Sequence, residues 1–242
     1  FYEDGQFNNY WFSTGTPTFL IEKFKESNTV IEEIKEFNTG GLFFDSFDIE
    51  TVDYRVLLFQ TGYLTIKSFD IQNSIYTISY PNKEVKDAFL SYITTTFTTK
   101  TAGDIDYTSK AIRISLMQSD YNKFFDLLKS LFNSIPYQLH INLEAYYHSL
   151  FYLIMELSGI NIIGERSTAK GRIDGVIEFN DKIYIIEFKY LSENKEVESV
   201  LNNAIKQIKT KEYYIPYINK NKPIKYLAIG VNREVVEYKI EE

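Results

Sequence analysis

The chain has no cysteine. That removes disulfides and thiolate metal sites, and it fits a reducing compartment. No apolar run reaches the ~18 residues a membrane-spanning helix needs, and no secretory signal pattern is visible. The expectation is a cytoplasmic protein without a membrane partner. Histidine is scarce: only His140 and His148 are present. A three-histidine zinc site cannot be built, and neither H-E-x-x-H nor the G-x-S-x-G serine elbow occurs. The phosphate-cradling G-x-x-x-x-G-K-[ST] is missing as well. The only methionines are Met117 and Met155 and the chain starts at Phe1, so it reads as a fragment of a longer protein.

What is present is core material. Of 242 residues, 44% are hydrophobic and 17% aromatic, which suits one large domain or two small ones and argues against disorder. The net charge of −7 is uneven: residues 1–110 hold 16 acids and 9 bases, whereas residues 111–242 hold 17 of each. Within the second half, residues 206–225 carry six lysines (206, 209, 211, 220, 222 and 225) against the single acid Glu212. This excess reads either as a solvated lysine face or as a surface that meets phosphates.

Local signals divide the chain. In "TGTPTFLIEKF", Thr16 offers an N-cap and Pro17 the first helical position. In "TVIEEIKEF", Thr29 and Glu32 have capping-box spacing, and "ETVDYRVLLFQTG" reads as a helix that stops at Gly62. "YLTIKSF" and "SIYTISY", separated by "DIQN", predict a β-hairpin over residues 63–80, followed by a helix at "KEVKDAFLSYI". Helix, two-stranded wing, helix outlines a mostly helical winged-helix-like module over residues 1–110. The Thr-rich residues 94–110 are the candidate boundary. Beyond it, residues 113–135 read as one amphipathic helix and residues 142–159 as a longer, buried one. Strands follow near 160–168, 171–179 and 182–190, then a helix over 196–214 and a strand over 224–231. The expectation for residues 111–242 is therefore an α/β (α+β) layered domain with an αβββαβ core and a mixed sheet.

Two acids and a lysine interrupt the apolar strands of "GRIDGVIEFNDKIYIIEFKY". If Asn180-Asp181 is a two-residue hairpin turn, Asp174 falls opposite Glu187 and Arg172 opposite Lys189. Residues i and i+2 share a strand face, so Asp174, Glu187 and Lys189 point one way. Carboxylates about 5 Å apart repel by about 3 kcal/mol at an effective dielectric near 20, which calls for a neighbouring cation. Lys189 and Arg172 supply part of that charge, and a divalent ion such as Mg²⁺ would supply more. The competing reading is a buried ion network that only locks the sheet. A one-residue slip in register would separate the acids.

Residues 140–231 resemble the PD-(D/E)XK nuclease superfamily, on Asp174 and on "EFK" at 187–189. That resemblance implies a restriction-endonuclease-like fold and Mg²⁺- or Mn²⁺-dependent phosphodiester hydrolysis on nucleic acid, DNA in particular. Asp174 and Glu187 would be metal ligands, Lys189 the catalytic lysine, and Glu144 a further catalytic and metal-ligating acid from the preceding helix. Gln207 and Tyr213 of "QIKTKEY" would contact substrate, with Arg172, Lys206 and Lys209 beside them. The family's proline is replaced: the chain reads "RIDG". Across nearly the whole chain, "NNYWFSTGTPTFLIE", "LLFQTGYLTIK", "SIPYQ", "EAYYHSLFYL", "GRIDGVI", "YIIEFK" and "QIKTKEYY" are similar to a bacterial family of AAA-ATPase-like proteins with a C-terminal PD-(D/E)XK nuclease domain. This implies that residues 1–110 are the tail of an ATPase-like region, with ATP bound only before Phe1. A catalytically silent nucleic-acid-binding or regulatory module with the nuclease fold is the alternative. A winged-helix DNA-binding protein is a third reading, disfavoured by the acidity of the first half.

Overall fold

The computed structural model describes residues 32–45, 53–136, 144–168, 171–192, 196–232 and 234–242. The proposed Thr16–Pro17 start, the Thr29 cap and His140 lie outside these residues. The chain divides into two compact units, Phe1–Thr96 and Phe97–Glu242. Among the described residues no helix is long and apolar enough to cross a membrane.

In the first unit the hairpin forms where expected, as β2 (Thr65–Asp70) and β3 (Ile75–Ser79). It is not an isolated wing. The stretch read as the end of a helix leaves its helical turn at Lys35 and becomes β1 (Glu36–Thr39), giving an antiparallel sheet ordered β1-β3-β2. Pairing with β3 and the packing of Phe37 against Phe43, ring centroids 5.5 Å apart, outweigh the local helical pattern. Helix α1 (Tyr54–Gln60) is capped by Asp53, whose carboxylate accepts from the Arg55 N–H at 2.9 Å, and it stops before Gly62 at φ +82°. Helix α2 covers Lys83–Phe97. Its threonines are not linker residues: Thr94 donates to the Leu90 carbonyl at 2.8 Å and Thr96 to that of Tyr92 at 3.0 Å, returning their hydroxyls to the helix.

The second unit starts earlier than residue 111. Thr101 and Asp104 form a capping box that launches α3 (Ala102–Met117) inside the expected boundary, so residues 97–110 belong with this unit. The single helix expected over 113–135 is two. Ser119 takes φ +60°, and Asp120 then caps α4 (Tyr121–Phe132) by accepting from the Lys123 N–H. After α5 (Glu144–Leu157) come β4 (Ile162–Thr168), β5 (Gly171–Glu178), β6 (Ile183–Tyr190), α6 (Val197–Thr210), a 3₁₀ segment (Ile215–Lys220), β7 (Ile224–Val231) and β8 (Val236–Glu241). The strand β8, with Val236, Tyr238 and Ile240 alternating, extends the expected core.

The sheet runs β4-β5-β6-β7-β8, with β6 and β7 parallel and the other neighbours antiparallel. One face, carrying Ile177, Tyr184, Ile186, Phe188, Leu227 and Ile229, packs on helices α3 to α5. The other, carrying Val176, Ile183, Ile185 and Ala228, packs on α6. Strand β6 is covered on both sides, which is why it reads as a continuous apolar run. The β5–β6 hairpin has the register inferred from the sequence: Gly175 pairs with Ile186 and Glu178 with Ile183, and the Phe179 N–H reaches the Lys182 carbonyl at 2.8 Å around Asn180-Asp181. Neither turn residue has positive φ, so this is not the mirror-image turn that such a dipeptide favours.

At the hairpin end of this sheet Tyr184 is fully buried, and its hydroxyl meets those of its neighbours: Tyr121 at 3.2 Å and the Leu116 carbonyl at 3.4 Å. Burial first, and the Tyr121 hydroxyl second, push its pKa well above the usual tyrosine value of 10.0. A raised folded-state pKa gives stability that is whole below pH ~10 and is lost as pH rises through the folded value. Urea denaturation between pH 10 and 11.5 should therefore show Tyr184→Phe losing stability less steeply than the wild type, by about 1.4 kcal/mol per pH unit.

Candidate active site where β5 leaves β6

Alternation along β6 puts Phe188 on the α5 face and Glu187 and Lys189 on the α6 face, beside Ile183 and Ile185. The β5–β6 ladder stops at Gly175–Ile186, one pair short of Asp174–Glu187. The β4–β5 ladder keeps one register through this point, from Gly164–Gly175 to Arg166–Ile173, and Asp174 is a residue of β5. Groups from α5 and β6 bind its polar atoms. Its Oδ2 accepts the Phe188 N–H at 2.8 Å, which a regular ladder would have sent to the carbonyl of Ile173. Its carbonyl accepts the His148 Nε2–H at 3.0 Å and the Tyr152 hydroxyl. Both donors come from α5, four residues apart on one helix face.

Glu187 is 1% exposed and is held by Lys189, whose Nζ donates to Oε1 at 2.7 Å. The lysine itself is 27% exposed, so the pair runs from the core to the solvent edge. The buried Tyr213 hydroxyl joins this cluster. Burial raises its pKa above the ordinary value; a hydrogen bond with Gln207 draws it down, the Glu187 and Asp174 charges push it up, and Lys189 pulls it down. Asp174, Glu187, Lys189, Gln207 and Tyr213 are therefore gathered at one place from β5, β6 and the end of α6.

The other expected residues are placed differently. Lys209 donates to Glu241 at 2.6 Å and lies over the Tyr226 ring. It is about 200° around α6 from Gln207, on the flank that faces β8, and does not join the cluster. Lys206 is exposed, about 100° from Gln207. Lys220 and Lys222 both pair with Glu178, and Lys225 pairs with Glu242. Four of the six lysines at 206–225 are thus met by acids that lie outside that window and arrive through the sheet. The expected lysine excess is largely cancelled. Lys211 is exposed at the C-cap of α6, one turn past Gln207 on the same row. Glu144 is the first residue of α5, one turn before His148; its side chain and that of Arg172 are not described. Arg172 pairs with Ser167 of β4, not with Lys189. Among the described residues no group of three or more histidines and acids gathers in a metal-binding arrangement.

The α5 donors leave a signal in the sequence: Glu144, His148 and Tyr152 recur every fourth residue, a single stripe along α5.

The comparisons with known proteins bear on this region. A family model described as the PD-(D/E)XK nuclease superfamily matches residues 142–241. A protein of Azotobacter chroococcum mcd 1, named only as an uncharacterized protein in the vnfD 5′ region, is 28% identical over 240 residues. The alignment covers 96% of this chain and 45% of that protein, so the chain spans about half the relative's length. No solved structure matches. With its mixed five-stranded sheet and flanking helices, the segment 142–241 is a PD-(D/E)XK nuclease superfamily domain.

Proposed function

We propose that the second unit hydrolyses phosphodiester bonds in nucleic acid, DNA in particular, with Mg²⁺ or Mn²⁺ as cofactor. The observation that carries this reading is that Asp174 bonds through Oδ2 to the Phe188 N–H, between the paired Glu187 and Lys189 on the same strand. The donor set fits a hard cation. Two carboxylates supply oxygen, and Phe188, whose N–H Asp174 accepts, turns its carbonyl to the same strand edge. Such an ion, when bound, stabilises the charge that develops on the phosphate oxygens.

The chain's own groups do the rest. Asp174 and Glu187 hold the ion, with Glu144 entering from α5. Lys189, at the solvent edge, transfers its hydrogen bond from Glu187 to the attacking water and a non-bridging phosphate oxygen. Gln207 and Tyr213 fix the phosphate on the α6 side. Lys206 and Lys211, both exposed, bring positive charge to the nucleic-acid backbone, while Lys209 is engaged by Glu241. ATP, on the resemblance to AAA-ATPase-like proteins, belongs to another region of a longer protein. Residues of the first unit are then part of that region and its winged-helix-like end.

A second reading is a nucleic-acid-binding or regulatory module without turnover. The Lys189–Glu187 ion pair favours it, because the lysine and a ligand already satisfy one another. Incubation with linear, circular and single-stranded DNA and with RNA, in Mg²⁺ or Mn²⁺, separates the two. Cleavage should appear, and Lys189→Ala should lower it by about 10²–10³-fold while Mn²⁺ affinity stays within a few fold. No cleavage, together with no Mn²⁺ binding by calorimetry, would overturn the enzyme reading.

The ion pair itself is testable without substrate. Lys189→Met removes the ammonium from buried Glu187 and should cost about 3 kcal/mol in urea denaturation. Adding Glu187→Gln should recover most of that loss. Additive losses in the double variant would contradict the pairing.

A further inference from the structure

We propose that His148, Tyr152 and Gly175 form a backbone lock that aims the Asp174 carboxylate into the site. The two side chains are positioning residues: they reach the carbonyl of Asp174 and act through it. The aim matters only if Asp174 holds the ion, so the proposal rests on the nuclease reading, but the lock can be observed without a metal.

Four observations meet at this point. First, the β5–β6 pairs end at Gly175–Ile186, beside Asp174. A carbonyl at such a place needs a partner, or it carries the desolvation cost of a buried unpaired acceptor. Second, that carbonyl accepts two donors from α5, the His148 Nε2–H at 3.0 Å and the Tyr152 hydroxyl, which fills both of its lone pairs. Third, the donors are themselves fixed. His148 and Tyr152 are 9% and 1% exposed; the imidazole stands edge-on to the Tyr152 ring at 4.6 Å and to the Phe188 ring at 5.1 Å. Fourth, a methyl group at Gly175 would lie 3.2 Å from the Tyr152 oxygen and 3.0 Å from Ile162 Cδ1. Position 175 is therefore left bare so that the tyrosine can approach the strand.

The carbonyl and the carboxylate of Asp174 are held from opposite sides. Helix α5 takes the carbonyl and the Phe188 N–H takes Oδ2. Two anchors on one residue set the direction of its side chain, and the remaining oxygen, Oδ1, is turned by the same constraint. Without the α5 donors, the backbone at Asp174 is free to shift. The Phe188 N–H would then lose its carboxylate partner to water, and the carboxylate would lose its aim. Partners of this kind behind a metal ligand are each worth about 10–100-fold in affinity or activity.

Tyr152→Phe removes one hydroxyl and keeps the ring. In the metal-free protein, amide hydrogen exchange should become at least about tenfold faster at Phe188 while the rest of β6 keeps its protection. In titration calorimetry its Mn²⁺ affinity should fall about tenfold or more. Gly175→Ala should reproduce both effects. Tyr184→Phe, which deletes a buried hydroxyl at the far end of the same strand, should change neither. If Tyr152→Phe leaves Phe188 exchange at the wild-type rate, the lock is wrong, whatever the metal result. If Phe188 exchange rises but the wild type itself binds no Mn²⁺, the lock stands and the nuclease reading falls.

Discussion

The site in the second unit depends on the hydrogen bonds that hold Asp174 by its carbonyl and by its carboxylate. β5 is paired on both sides up to Gly175, and β6 is buried on both faces. A carboxylate in such a sheet would ordinarily be a liability, since neither face is wet. Asp174, half-buried, serves instead as a hydrogen-bonding node. The node joins helix α5, through His148 and Tyr152, to the backbone of β6, through Phe188. The adjoining acid, Glu187, is buried on the regular part of β6 and keeps its charge beside Lys189. The site lies where the β5–β6 pairs end, among closely packed neighbours.

The charge arrangement follows from the same geometry. Burial first holds the Tyr213 pKa above its ordinary value, and the Glu187 and Asp174 charges push it further up. The net charge of Asp174, Glu187 and Lys189 is negative, which suits a cation. On α6, Lys206 and Lys211 are exposed, whereas Lys209 pairs with Glu241 across the helix. The far end of the sheet uses its lysines in the same way: Lys220 and Lys222 close on Glu178 and anchor the loop before β7 to the hairpin.

Much of this was legible from residues alone, where the signals were local. The Asn180-Asp181 turn fixed the β5–β6 register, and the alternation of β6 then placed Glu187 and Lys189 on one face. Gln207 and Tyr213 lie within one short segment, so their closeness follows from the chain itself. What was not legible depended on distant partners. A window count over 206–225 cannot see Glu178, Glu241 or Glu242, yet these acids decide whether the lysines face phosphate. The Thr-rich stretch resembled a linker because threonine is a poor helix former, whereas Thr94 and Thr96 bond back to their own helix and Thr101 caps the next. Ser119 ends a helix in a left-handed conformation that its residue type does not announce. The helical reading of Glu36 and Phe37 failed because a free edge of β3 was there to be paired.

If the Asp174–Glu187 pair is a cation site, anomalous diffraction from crystals of the chain grown or soaked with Mn²⁺ tests it most directly. A peak should lie within coordination distance, about 2.0–2.4 Å, of an oxygen of Asp174 and one of Glu187, with the Lys189 ammonium moved off Glu187. Ordered Mn²⁺ elsewhere on the molecule, with this position empty and the Lys189–Glu187 pair intact, would contradict it.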